Sequence, residues 1–153
     1  MKLCGKKTLV FGLGQSGRAA ADFLFKQKAL VWGADDQYES LLHKGLLEDF
    51  RSCGGKQFRE EIDFKDFDLI VVSPGFPKKH PHYLKARFSN VEIIGEIELA
   101  ARFLKGPRVL AVTGTNGKTT VTLMVSHVLN ACGQTARAVG NVGDPLSRED
   151  LSN

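Results

Sequence analysis

Residues 7–27 read KTLVFGLGQSGRAAADFLFKQ, an apolar run followed by a glycine-rich turn and an alanine-rich segment. The apolar run is typical of a buried parallel strand, and the apolar residues after the turn recur at helical spacing. Alanine also has the highest intrinsic preference for helix. A strand that ends in a glycine turn and continues as a helix is a building unit of parallel α/β sheets, so this stretch predicts the fold class.

The same alternation of strand and helix patterns continues to about residue 105. We therefore predict an α/β fold in which a Rossmann-like parallel sheet carries helices on both faces, and we assign it to residues 1–105. The predicted strands are 7–11, 29–36, 56–58, 69–73 and 91–94, and the predicted helices are 18–27, 39–52, 81–88 and 97–104.

A second unit begins near Gly106-Pro107, the turn-forming pair at which we place the domain boundary. Residues 106–153 predict the first βαβ portion of a P-loop ATPase domain, with a strand at 109–112, a helix at 118–131 and a strand at 135–139. Such a domain ordinarily contains several further strands. We therefore expect the ATP-binding domain to be truncated in this chain, and residues beyond about 140 to be mobile or held by a neighbouring molecule.

The composition limits the classes of protein that fit. With 42% hydrophobic and 25% charged residues, a chain of 153 residues can bury a globular core. The net charge of +4 is scattered, which argues against a nucleic-acid partner. Three cysteines without metal-ligand spacing indicate reduced thiols, and no apolar run reaches the ~18 residues of a membrane span. We expect a cytoplasmic protein that does not insert into membranes.

The segment TGTNGKTT at 113–120 predicts a loop that binds the phosphates of a nucleoside triphosphate. Its glycines let backbone N–H groups and the positive end of the following helix point at one spot, which suits a phosphate chain. Lys118 is the point charge expected on the outer phosphates, and the Thr119 hydroxyl is the expected ligand of Mg²⁺. The common P-loop has another glycine at the place of Val112, so this is a shorter G-x-x-G-K-T form.

The first glycine turn, GLGQSG at 12–17, predicts a second phosphate site. A diphosphate fits at the N-terminus of the following helix, although glycines can also serve only to permit a tight turn. Asp35 and Asp36 follow Gly17 by 18 and 19 residues, close to the roughly 20 at which an acid meets a ribose hydroxyl in dinucleotide folds. NAD fits this pattern, and a nucleotide-sugar diphosphate would use the same cradle.

Three other sets of residues could belong to a ligand site or could have only a structural role. Ser73-Pro74-Gly75 ends a predicted strand at the same sheet edge, where it either lines the ligand or forms a plain turn. His80 and His82 flank a proline in a charged loop, and we expect them to be exposed rather than metal ligands. Glu96 and Glu98 are expected to be solvated near a helix start, where carboxylates suit the helix dipole.

Two phosphate sites in one chain narrow the candidate functions. An NAD-dependent oxidoreductase explains the first site but not the second. A P-loop kinase explains the second site but not a complete Rossmann-like unit before it. A ligase that joins a nucleotide-tethered acid to an amine with ATP explains both.

The chain resembles the N-terminal third of the Mur ligases, the ATP-dependent amino-acid ligases of peptidoglycan precursor synthesis and hence of cell wall biogenesis. Within that family it is most similar to the members that add D-glutamate, and members such as the L-alanine-adding ligases are the alternative. The motifs that carry the resemblance are GLGQSG at 12–17, VSPG at 72–75, GEIEL at 95–99, TGTNGKTT at 113–120 and GNVG at 140–143.

The resemblance implies addition of D-glutamate to UDP-N-acetylmuramoyl-L-alanine through an acyl phosphate, with ATP and Mg²⁺. Lys118 would be the catalytic residue on the γ-phosphate, Thr119 would help to hold Mg²⁺, and Asn141 would approach the muramoyl-alanine part. The implied ATP-binding residues are Gly114, Thr115, Asn116, Gly117, Lys118, Thr119 and Thr120. The implied UDP-sugar-binding residues are Gly14, Gln15, Ser16, Asp35, Asp36, Ser73, Pro74, Gly75 and Asn141.

Two further functional classes stay open. The 153-residue chain by itself is expected to bind the UDP-sugar without catalysis, as a binding module. An NAD-binding oxidoreductase or regulatory domain is the other class, and ligand protection by a UDP-sugar or by NAD would distinguish the two.

Overall fold

The computed structural model describes residues 2–59, 63–106, 108–140 and 142–149. Its strands are β1 (Lys7–Phe11), β2 (Leu30–Ala34), β3 (Lys56–Gln57), β4 (Leu69–Val72) and β5 (Ile93–Gly95). Its helices are α1 (Gln15–Lys26), α2 (Tyr38–His43), α3 (Glu48–Ser52), α4 (Pro81–Arg87), α5 (Glu96–Ala101) and α6 (Lys118–Ala131), and 3₁₀ turns cover Phe64–Asp66 and Leu146–Arg148.

The five strands form one parallel sheet in the order β3-β2-β1-β4-β5. The chain runs outward from β1 through β2 and β3, and then crosses to the other side of β1 for β4 and β5. The strand order therefore reverses between β1 and β4, which is the position where open α/β sheets form a ligand crevice. The predicted Rossmann-like α/β fold is confirmed.

Each face of the sheet has its own core, because neighbouring side chains along a strand point to opposite faces. On one face, Val10 of β1 packs in a cluster with Leu24 of α1 and Leu99 of α5. On the other face, Phe11 of β1 packs with Ala86 of α4 and a group of phenylalanine rings. Burying one such large side chain contributes roughly 1.5–3 kcal/mol to the stability of the fold. Both clusters therefore stabilise the position of the helices on the sheet.

The predicted helix at 39–52 is two short helices, α2 and α3. Gly45 lies between them with φ +69°, a left-handed conformation that ends helices and that glycine adopts without steric cost. The break lets Leu47 enter the core, where it is fully buried.

Two of the predicted strands, 109–112 and 135–139, do not form strands. A strand is stabilised by hydrogen bonds to a neighbouring strand, and within the described residues neither segment pairs with one. Val109 and Leu110 are 66% and 69% exposed. The intervening helix α6 has its predicted bounds, but it has no buried residue.

The segment 142–149 packs against the Rossmann-like unit of its own chain, which contradicts the expectation that residues beyond about 140 are mobile or held by a neighbouring molecule. The 3₁₀ turn Leu146–Arg148 contacts both α1 and α5, and Ser147 within it is buried. The physical reason is the buried carboxylate of Glu96 on α5, which accepts a hydrogen bond from this segment. None of the helices in the described ranges is both long and apolar enough to cross a lipid bilayer.

Candidate functional site

The glycine turn after β1 is shaped by two glycines with different roles. Gly17 packs so closely that a Cβ there would lie 1.7 Å from the Gly12 carbonyl oxygen, so this glycine is required by the fold. Gly14, the N-cap residue of α1, has an extended conformation (φ −64°, ψ −168°) and no atom within 4 Å of a Cβ position. The space beside Gly14 is therefore open to a ligand.

The N-terminus of α1 is suited to an anion. No side chain caps it, and its first turn contains no acidic residue. The first-turn N–H groups of a helix have no partner within the helix, and the dipole makes this end positive. Gln15 is exposed and Ser16 is half-buried at the start of α1. A diphosphate can therefore approach the backbone of Gly14, Gln15 and Ser16 directly.

Asp35, in the turn after β2, is held by two backbone hydrogen bonds. One carboxylate oxygen accepts from the Leu13 N–H at 2.6 Å, and the other accepts from the Gln37 N–H at 2.8 Å. The first of these bonds ties the turn after β2 to the glycine turn after β1. Asp35 therefore shapes the glycine turn, a role that its position in the sequence did not indicate.

Asp36 extends away from the core, and its side chain is 71% exposed. One of its oxygens lies 3.0 Å from the Nε2 of His80 in the loop before α4. The His80 side chain is only 16% exposed, and its Nδ1 accepts a hydrogen bond from the His82 N–H. The expectation of an exposed His80 is therefore wrong, because Asp36 and the first turn of α4 surround its ring.

The loop after β4 forms the other wall of the crevice. Ser73 is buried, and a Cβ on Gly12 would lie 3.0 Å from its hydroxyl oxygen. Pro74 and Gly75 are exposed beside it, and Phe76 stacks on Phe11 of β1 with ring centroids 4.8 Å apart.

These loops follow three adjacent strands and meet at one edge of the sheet. A cavity of about 60 Å³ lies among the residues at its β2 side. The lining residues are Ala34, Asp35, Asp36, Gln57, Phe58, Phe76, His80 and His82. Of these, only Asp35 and Asp36 belong to the predicted site. The HPH sequence at 80–82 could have drawn attention to the two histidines, whereas no sequence signal marks the other four residues.

The second glycine loop precedes α6 as predicted. Gly114 and Gly117 have φ values of +150° and +75°, which favour glycine. The Lys118 ammonium folds back over the loop and donates to the carbonyl oxygens of Gly114 and Thr115 at 2.6 and 3.2 Å. Residues 113–120 are all exposed. Asn141, the remaining predicted substrate residue, lies outside the described residues.

The second glycine loop, 113–120, contains no carboxylate or histidine that could bind a metal ion. Across the part of the chain that the structure describes, no three His, Cys, Asp or Glu side chains are placed to hold one. Thr119 lies in the first turn of α6 and is exposed.

Glu96 is buried, although we expected it to be solvated. Its carboxylate accepts a hydrogen bond from the backbone N–H of Ser147 at 2.8 Å, which fixes the 3₁₀ turn to α5. Leu99 and Ala100 are buried on the same helical face, so the i, i+3, i+4 spacing could have identified Glu96 as inward-facing. Glu98 is exposed, and it pairs with Arg102 at 2.6 Å.

Comparison with known proteins matches the two parts of the chain separately. Residues 6–95 match the family described as Mur ligase MurD-like, N-terminal domain, and residues 112–152 match the Mur ligase middle domain. A UDP-N-acetylmuramoylalanine–D-glutamate ligase from Protochlamydia amoebophila is 50% identical over 97% of this chain and 34% of its own length. The ligase of that name from Trichlorobacter lovleyi is 44% identical over 95% of this chain and 33% of its own length.

A solved structure of UDP-N-acetylmuramate-alanine ligase from Thermotoga maritima is 28% identical, with a TM-score of 0.46. The match covers 84% of this chain and 30% of that one. The chain thus spans about a third of the length of the curated relatives that it matches.

Proposed function

The chain belongs to the Mur ligase family, and from this membership we propose that it forms part of an ATP-dependent ligase that adds D-glutamate to UDP-N-acetylmuramoyl-L-alanine. Residues 1–105 would be the UDP-sugar-binding domain, and residues 106–153 the start of the ATP-binding domain. The observation that carries the proposal is the open crevice at Gly14, between the turn after β2 and the loop after β4.

The UDP-sugar would lie along this crevice. The backbone of Gly14, Gln15 and Ser16 would hold the diphosphate at the uncapped start of α1. Asp35 and Asp36 would face the uracil end, with Asp36 the more available because both Asp35 oxygens already accept backbone hydrogen bonds. Ser73, Pro74 and Gly75 would line the opposite wall, and Asn141 would approach the muramoyl-alanine part.

The loop at 114–120 is suited to the phosphates of ATP with Mg²⁺. No side chain caps α6, and no acidic residue lies in its first turn, so the helix start and Lys118 present only positive potential. ATP would supply the phosphoryl group that activates the alanyl carboxylate. Lys118 would exchange the carbonyl oxygens of Gly114 and Thr115 for phosphate oxygens, and Thr119 would orient the cation. Gly114, Thr115, Asn116, Gly117 and Thr120 would complete the loop.

The 153-residue chain by itself would bind the UDP-sugar without catalysing the ligation. The support is the exposure of residues 113–120 and of α6, because phosphoryl transfer requires a site that excludes water. D-glutamate would be a substrate of the whole ligase only. A cytoplasmic location fits the three exposed free cysteines, since a reducing compartment keeps thiols unpaired.

Ligand-dependent thermal unfolding tests the proposal. At a UDP-N-acetylmuramoyl-L-alanine concentration of 100 times Kd, the native state gains about 2.7 kcal/mol, which raises Tm by roughly 5–10 °C for a chain of this size. NAD at the same concentration is the control and should leave Tm unchanged. A shift with NAD and none with the UDP-sugar would refute the proposed ligand and favour the oxidoreductase class.

A further inference from the structure

We propose that His80 is a positioning residue for the UDP-sugar site, because its ring fastens the loop after β4 to the turn after β2. This inference rests on the proposed function. The contact at its centre is the 3.0 Å approach of His80 Nε2 to an Asp36 carboxylate oxygen.

The hydrogen bonds of the ring define its tautomer. Nδ1 accepts from the backbone N–H of His82 at 3.2 Å, so this nitrogen carries no proton. Nε2 faces the Asp36 carboxylate, so it carries the proton and donates. A neutral imidazole thus satisfies both partners at once, capping α4 with one nitrogen and holding Asp36 with the other.

The two ends of this bridge differ in how firmly they are held. The His80 side chain is 16% exposed, and its ring lies 4.9 Å from the ring of Phe76, which stacks on Phe11 in β1. Asp36 is 71% exposed. Asp35, its neighbour, is held by two backbone N–H groups. His80 therefore transmits the rigidity of the sheet to Asp36.

The bridge matters for binding because it joins the two walls of the crevice. One wall follows β2 and the other follows β4, and β1 with its glycine turn lies between them. Fixing their separation before the ligand arrives reduces the ordering cost of binding. Loss of the bridge should therefore weaken UDP-sugar affinity while the sheet and both cores stay intact.

The test compares His80→Asn with His43→Asn by calorimetric titration of UDP-N-acetylmuramoyl-L-alanine. The asparagine amide oxygen at 80 can still accept from the His82 N–H and cap α4, but the shorter side chain cannot reach Asp36. Because Asp36 is largely exposed, we expect affinity to fall roughly 2- to 12-fold, the net contribution of one ordinary hydrogen bond. His43 is exposed at the end of α2, so its substitution should leave affinity unchanged.

A double-mutant cycle with Asp36→Ala separates the bridge from a direct contact of His80 with the ligand. With a bridge, His80→Asn weakens binding in the unaltered chain but adds little once Asp36 is alanine, whereas an equal loss in both backgrounds would overturn the inference. An unaltered chain that fails to bind the UDP-sugar overturns both this inference and the proposed function. Normal binding with no effect of His80→Asn overturns the bridge alone.

Nitrogen NMR of the unaltered chain gives a readout that does not depend on folding of the variants. The inference requires the neutral Nε2–H tautomer of His80, and a predominant Nδ1–H tautomer would refute it.

Discussion

Replacing Gly14 with valine should abolish UDP-sugar binding while the chain stays folded. A Cβ at this position meets no atom within 4 Å, and the extended backbone is one that any residue adopts. Valine is a poorer N-cap than glycine, which destabilises the folded state, but it also reduces the conformational freedom of the unfolded chain, which stabilises the folded state. The two effects oppose each other, so the free energy of unfolding should change by less than about 1 kcal/mol. The added side chain fills the space through which a diphosphate reaches the backbone, so the Kd should rise by at least about 100-fold, or 2.7 kcal/mol.

Gly17→Ala is the matched control, because it makes a smaller change in the same turn. Its Cβ would lie 1.7 Å from the Gly12 carbonyl oxygen, whereas real Cβ contacts are essentially never shorter than 3.0 Å. The turn and α1 must separate by more than about 1 Å, and overpacking of this kind costs roughly 1–3 kcal/mol or more. Thermal unfolding should show Tm lowered by about 2–12 °C or more for Gly17→Ala and nearly unchanged for Gly14→Val. A folded Gly14→Val chain with unaltered affinity would show that the turn is purely structural.

Three further substitutions test other contacts. Asp35→Ala removes the bonds to Leu13 and Gln37 and should lower the free energy of unfolding by roughly 1–3 kcal/mol, measured by urea unfolding; an unchanged midpoint would contradict the tie between the two turns. Lys118→Ala in a full-length ligase should reduce kcat by at least about 100-fold, with UDP-sugar binding intact, and normal turnover would contradict the role of Lys118. Hydrogen bonds from Lys6 and from the Lys7 N–H lower the pKa of Asp68, so its stabilisation is present above the unfolded pKa of about 4 and is lost as pH falls through the folded pKa. Asp68→Asn should therefore destabilise the chain modestly, by about 0.5 kcal/mol at pH 7 and by less near pH 3, and an equal loss at both pH values would contradict this assignment.

The parts of the fold that sequence predicts well are those that local patterns determine. β1 and α6 have the predicted bounds, and β4 ends one residue earlier than expected. Each combines a clear apolar period with a glycine at the point where the chain turns. The same reasoning joined α2 to α3, because the leucines around Gly45 keep helical spacing and a single glycine is tolerated in many helices.

The strand predicted at 109–112 shows what a local pattern cannot supply. Its apolar residues fit a buried strand, but a strand also needs a partner, and the structure pairs it with none of the described residues. In the candidate site, too, some features follow from local sequence patterns and others depend on distant residues. Gly14, Ser73 and Asp36 lie at one sheet edge because parallel strands place their carboxyl ends together, whereas the contact of His80 with Asp36 joins residues 44 positions apart.

The environment of Glu96 likewise depends on a residue 51 positions away, Ser147. A solvated carboxylate near a helix start is the common case, and both Glu96 and Glu98 lie in the first turn of α5. What distinguishes them is the face of α5 on which each lies: Glu96 shares the buried face with Leu99 and Ala100. A carboxylate on a buried face needs a donor, and the Ser147 N–H provides one from the part of the chain that matches the Mur ligase middle domain. Helical spacing could therefore have shown that Glu96 has a partner, while only the folded chain shows that this partner ties the middle-domain segment to the Rossmann-like sheet.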